Sequence, residues 1–251
     1  MKTEIRELLR SITMSNKLYK RYSVDFDYFY KKLIDYRSKI MREEKLIGNK
    51  EHFLKAKLEN ELLSAIEYDE EILLVQDKDS KFNLAMLAAM CGMEKVVIKG
   101  LENPKVAIQR DCYYKNLGMH AAISNLHDAT MLALDNPIAS IQQDDFGANI
   151  GIIAAYQGME DCLLKALDNK QASFQKDEYD KTMGFISAEK DLALATLKTV
   201  QKYPEQIFDR NDMCGGSIDS FVDNSIRNNV NIGINLHTKE IINSLQSEKE
   251  L

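Results

Sequence analysis

Residues 144–158 read Asp144-Asp145-Phe146-Gly147-Ala148-Asn149-Ile150-Gly151-Ile152-Ile153-Ala154-Ala155-Tyr156-Gln157-Gly158, and the same order of residue types recurs on both sides at a fixed interval. Glutamines fall at Gln76, Gln109, Gln142 and Gln175, each 33 residues from the last. Small pairs keep that spacing at Ala88–Ala89, Ala121–Ala122, Ala154–Ala155 and Ser187–Ala188. So do Leu101, Leu134, Leu167 and Val200; Asn103, Asn136 and Asn169; Asp111, Asp144 and Asp177; and Asn83, Asn116, Asn149 and Thr182. A period of this length is the signature of a repeat architecture.

Each column has a physical reading. Asn or Thr at 83, 116, 149 and 182 suits a helix N-cap, whose side-chain oxygen accepts an otherwise unpaired backbone N–H. The small pair then lies in a first helix, where larger side chains would hold a neighbouring unit away. Gly92, Asn125 and Gly158 tolerate the left-handed backbone that ends a helix. A second helix begins at Met93, Leu126, Met159 and Leu192 and ends near Leu101, Leu134, Leu167 and Val200. A polar link is expected to lead to the next aspartate. Neither helix can bury its apolar face alone, so successive units must pack on one another.

The quoted stretch resembles the ankyrin repeat, D-x-x-G-x-T-P-L-H-x-A-A-x-x-G, with Asp144, Gly147, Ala154, Ala155 and Gly158 matching in place. The resemblance covers 76–208 as four repeats, 76–108, 109–141, 142–174 and 175–208. It implies an all-α fold: an ankyrin-like repeat solenoid of stacked helical hairpins with helical N-terminal and C-terminal caps. The T-P-L-H tetrapeptide is replaced by Asn-Ile-Gly-Ile or Asn-Leu-Gly-Met, which either loosens the first turn or lets glycine allow a closer approach. Tyr114 and Asp180 replace the loop glycine in two repeats.

Outside the repeats, residues 1–75 read as a helical cap and degenerate first unit, with helices expected at 3–12, 24–46 and 50–67. In the last, Phe53, Leu54, Leu58, Leu62, Ala65 and Ile66 follow helical spacing. Residues 209–246 read as a degenerate C-terminal capping repeat, with Gly215–Gly216 at the N-cap column and Thr238 capping a last helix. Residues 247–251 read as a frayed tail.

The family resemblance implies that loop tips and the exposed side of the first helix grip a protein partner. The tips carry Tyr113, Phe146 and Tyr179; the first-helix positions are Met90, Ile123, Tyr156 and Glu189. Aromatic groups offer large contact area at low entropic cost. The alternative is that the tip rings only brace neighbouring loops.

Catalysis is not expected. His120 shares the core-facing column of Leu87 and Ile153, and His127 sits beside Asp128 on an outer helix. Gly215–Gly216 lacks the Lys-Ser/Thr of a phosphate loop. No cofactor or metal is expected. Cys91, Cys112, Cys162 and Cys214 form no C-x-x-C pair and are read as reduced, mostly buried thiols. No stretch reads as a transmembrane span or export signal, so a cytoplasmic monomer is expected.

Charge is uneven: residues 1–60 hold 15 Lys/Arg against 9 Asp/Glu, a net of +6, and the remaining 18 basic and 30 acidic residues leave −12. An acidic body repels phosphates, so nucleic acid is an unfavoured partner. Two other readings remain at this stage. One is a secreted bacterial effector using the same surface in a host cell. The other is binding of nucleic acid or anionic membrane through the basic, Tyr-rich N-terminal helices.

Overall fold

Asn83, Asn116 and Asn149 each turn the side-chain oxygen onto a backbone N–H three residues on, at Met86 (2.8 Å), Met119 (2.9 Å) and Ile152 (2.8 Å). Thr182 does the same for Phe185. These caps start the first helix of four hairpins in the computed structural model, which describes residues 26–39, 49–206, 216–228 and 230–249. Among the described residues the regular structure is helical, apart from an isolated bridge between Arg110 and Asn116.

The helices are α1 (26–39), α2 (Asn49–Tyr68), α3 (Leu84–Met90), α4 (Glu94–Leu101), α5 (Pro104–Ala107), α6 (Leu117–Ile123), α7 (His127–Ala133), α8 (Ile150–Tyr156), α9 (Glu160–Ala166), α10 (Lys170–Ser173), α11 (Met183–Glu189), α12 (Ala193–Lys202), α13 (Ile218–Arg227) and α14 (Ile232–Lys249). The first helix of each hairpin packs on the next, α3 on α6, α6 on α8, α8 on α11 and α11 on α13. The second helices do likewise through α2, α4, α7, α9, α12 and α14. One apolar core runs from Phe26 to Tyr203, and a second, of Ala188, Val200, Ile218, Val222 and Ile242, joins the last hairpins.

Within each hairpin the turn is left-handed at Gly92 (φ 68°), Asn125 (58°), Gly158 (73°) and Asp191 (56°). The first three match the expected helix-ending positions, while Asp191 carries the fourth without a glycine or asparagine.

The expected polar link differs. Between second helix and next aspartate lies a third, single-turn element: Glu70–Leu74, α5, Ala139–Ile141, α10 and Pro204–Gln206. Val106, Ala107, Ala139, Ala172 and Ser173 are buried there, and Asn103, Asn136 and Asn169 cap these turns. Small or apolar side chains, with the Ser140 and Ser173 hydroxyls bonded to carbonyls of their own turns, line these buried positions.

The glutamine column ties unit to unit. Asn83 Nδ2 donates to Gln109 Oε1 (2.7 Å), and Gln109 Nε2 donates to the Leu74 carbonyl (2.8 Å). Gln142 repeats this with Asn116 and Ile108, and Gln175 with Asn149 and Ile141. In the fourth unit Gln206 takes the place, two residues ahead of the 33-residue register, with Thr182 and Ser173. Gln76 belongs elsewhere: its Nε2 donates to the carbonyls of Lys81 and Arg110, the pattern that Gln143 follows with Gly147 and Lys176.

Of the two consequences considered for the altered tetrapeptide, close approach is the one observed. A Cβ on Gly118 would lie 2.6 Å from Ala133 Cβ, and one on Gly151 2.8 Å from Ala166 Cβ. Gly184 faces Thr199 in the same way. In the first unit the roles are exchanged: Ala85 has the methyl and Gly100 lacks it, with 2.8 Å between Ala85 Cβ and a Cβ built there. Each hairpin thus crosses where one of two facing residues has no side chain.

At the ends, Leu58, Leu62 and Ile66 are buried as expected, but Phe53 and Leu54, nearer the start of α2, are 68% and 39% exposed. The expected helix at 3–12 lies outside the described residues, as do Gly215 and the ends of 24–46. Ser217, not the glycine pair, caps α13, in a reciprocal capping box with Ser220. Thr238 lies inside α14, its hydroxyl satisfied by the Ile234 carbonyl, so the last helix begins at Ile232 and is not capped by Thr238. That helix extends to Lys249, past the expected start of fraying at Ser247.

The second helices lack side-chain caps of their own at Met93, Leu126, Met159 and Leu192. Glutamates from the preceding unit serve instead: Glu59 accepts from the Lys95 N–H, Glu94 from Ala129, and Glu160 from Leu194 and Ala195. His127 holds the corresponding place before α9.

Two outcomes follow from this packing. Gly118→Ala should destabilise by about 1–3 kcal/mol through overpacking, and adding Ala133→Gly should recover part of the loss, as read from urea midpoints. His127→Glu should bring no gain in the same titration, because the carboxylate it places at a helix N-terminus would stand beside Asp128 and Asp161.

Candidate partner-binding face

The loops between units are built on buried aspartates. Asp111 Oδ1 accepts the N–H groups of Tyr113 and Lys115, both at 2.8 Å. Asp144 holds Phe146 and Ala148, and Asp177 holds Tyr179 and Lys181, in the same manner. The chain reverses through left-handed residues at Lys81, Tyr114, Gly147 and Asp180. Glycine is needed only in the third loop, where a Cβ on Gly147 would lie 2.7 Å from the Lys176 carbonyl oxygen. Loop is joined to loop by main-chain bonds, from the N–H of Cys112 to Ser80 O (2.9 Å), Asp145 to Tyr113 O (3.2 Å) and Glu178 to Phe146 O (2.7 Å).

Because backbone and aspartate hold the loops, the tip rings are left outward. Tyr113, Phe146 and Tyr179 are 55%, 48% and 49% exposed. On the first helices Ile123 is exposed, whereas Met90, Tyr156 and Glu189 are half-buried. Tyr156 turns its hydroxyl inward onto Asp177 Oδ2. Burial and that carboxylate together raise the Tyr156 pKa well above the ordinary phenol value. Glu189 is paired with Lys181 at 2.8 Å. The tip column is therefore uniformly accessible, and the helix column is not.

The second oxygen of each aspartate meets a different partner. Asp111 Oδ2 lies 2.9 Å from His120 Nε2, which is buried and packed edge-on to Phe82. Burial opposes ionisation of Asp111, but His120 and the main-chain donors outweigh it and hold the carboxyl below its usual pKa. Asp144 pairs with Lys115 at 3.0 Å, and the Lys115 ammonium also lies over the rings of Tyr113 (5.5 Å) and Phe146 (5.0 Å). Lys115 thus spans two tips and fixes their rings from below. Sequence reasoning missed it, since Phe82, Ala148 and Lys181 share its column and no residue type recurs throughout. Tyr114, 52% exposed with Arg110 against its ring (4.5 Å), was missed because it breaks the glycine column.

His127 is exposed, 3.5 Å from Asp128 and 3.8 Å from Asp161. Among the described residues, no cluster of three or more His, Cys, Asp and Glu is placed to hold a metal ion, and no helix is long and apolar enough to cross a membrane. Of the basic N-terminal segment, the described part turns Phe29 and Tyr36 into the core and pairs Lys32 with Glu61 (2.7 Å) and Lys39 with Asp35 (2.7 Å). Lys17, Tyr19, Lys20, Arg21, Tyr22 and Arg42 lie outside the described residues. No family model matches the sequence, and no curated protein is significantly similar to it.

Burial raises the thiols of Cys91 and Cys162 to about 11, while Cys112 sits exposed on the second tip. Since the thiolate is the nucleophile, brief iodoacetamide treatment of the folded protein at pH 8 should alkylate Cys112 and spare Cys91 and Cys162, as read by peptide mass spectrometry.

Proposed function

We propose that the chain is an ankyrin-repeat protein whose four units over 76–208 form a solenoid closed by helical caps, and that it binds another protein without catalysing a reaction. The supporting observation is that Tyr113, Phe146 and Tyr179 are half exposed on loops already held together by main-chain and aspartate hydrogen bonds. Rings presented at equal sequence intervals, on loops already held by other bonds, suit an interface. Ile123 extends the apolar area, with Met90 and Tyr156 as its partly buried margin and Glu189 as its polar end. On this reading the protein is a monomeric cytoplasmic module needing neither metal nor cofactor. Use of the same surface by a secreted effector would leave these contacts unchanged.

Replacing Tyr113, Phe146 and Tyr179 together by Ala should leave the helical signal intact and shift Tm by only a few degrees. The same variant should lose the partner that proximity labelling recovers with the unaltered protein. A triple variant that unfolds would assign the rings to bracing instead.

A further inference from the structure

On the second to fourth loops the cations are paired or hydrogen-bonded within the protein, while two carboxylates beside the rings face out. The Lys115 side chain is only 16% exposed, clamped by Asp144 and two rings, and that of Lys181 is 10% exposed against Glu189. Arg110 spends its guanidinium on the carbonyls of Tyr114 and Gln143. Lys176 is held by Asp180 (3.1 Å). By contrast Asp145 and Glu178 are exposed, each directly before a half-exposed ring, Phe146 and Tyr179. The Glu178 carboxylate lies close enough to Tyr179 to raise its phenol pKa. The first loop is mixed, with Lys78, Asp79 and Lys81 all exposed. The row of tips therefore runs from mixed charge, through aromatic, to aromatic with carboxylate.

We infer that the partner presents a basic segment, with Lys or Arg side chains seated against Phe146 and Tyr179 between the Asp145 and Glu178 carboxylates. This rests on the tip face being the protein-binding surface. A cation is attracted to the face of an aromatic ring and more so beside a carboxylate. The protein shows the same chemistry within itself, where Lys115 lies across the Tyr113 and Phe146 rings with Asp144 as counter-ion. A nucleic acid or anionic lipid would meet the exposed carboxylates with like charge.

The test pans a phage-displayed random 12-residue peptide library against the full chain, against the Tyr113→Ala/Phe146→Ala/Tyr179→Ala variant, and against Asp145→Lys/Glu178→Lys. Circular dichroism would first show that each variant is folded. Peptides held by the unaltered chain and lost on the ring variant should be enriched in Lys and Arg over Asp and Glu. Their affinity should fall at least about tenfold on the charge-reversed chain and decline steeply with added salt. Ring-dependent peptides with no basic bias, or with affinity unchanged by the charge reversal, would overturn this inference and leave the binding face standing. Finding no ring-dependent peptide at all would remove both.

Discussion

A buried hydrogen-bond relay connects the repeated units. An asparagine near the start of each of three units uses its oxygen to begin a helix and its amide to hold the glutamine that opens the following unit. The glutamine then reaches a carbonyl of the unit before the asparagine's. Buried polar groups are costly when unpaired, so a relay that satisfies every member specifies one register and penalises slipped ones. Its side chains lie 0% exposed at Asn83, Asn116 and Asn149, where water cannot substitute for a missing partner.

The relay fixes direction along the chain; a steric condition fixes the distance across it. Gly118 against Ala133, Gly151 against Ala166, and Ala85 against Gly100 all place a single methyl in the gap between the helices of one hairpin. Two methyls would collide. The exchange of glycine and alanine between the two helices in the first unit shows that the constraint acts on the pair, not on either position. A glycine in a helix interior is unfavourable by roughly 1 kcal/mol relative to alanine, so retaining one at each crossing indicates that close approach matters more than local propensity.

Most of the helical framework was legible because capping and helix-ending are local chemistry: Asn83, Asn116, Asn149 and Thr182 start helices where spacing placed them, and Gly92, Asn125 and Gly158 end them. What escaped depended on contacts between distant residues. The single-turn elements looked like polar links because their capping asparagines are obvious and their buried alanines are not. Gln76 was misassigned, and Gln206 passed over, because a column at constant spacing does not reveal which neighbour a side chain faces. Lys115 went unnoticed because its role exists only where it is flanked by Tyr113, Phe146 and Asp144 together.

The same separation of local and distant effects bears on how the tips can vary. Their shape is set by atoms every residue shares, the main-chain N–H and C=O groups, together with one buried aspartate per loop. Even the second aspartate oxygen accepts quite different companions, His120, Lys115 or Tyr156, without altering the grip on the loop. The outward side chains take no part in those main-chain bonds. Tyr113, Phe146, Tyr179, Asp145 and Glu178 could change identity while the loops kept their spacing. A surface whose outward side chains are separate from the bonds that shape it can acquire a chemical preference one residue at a time, and the exposed carboxylates beside the rings of the last two loops have that form.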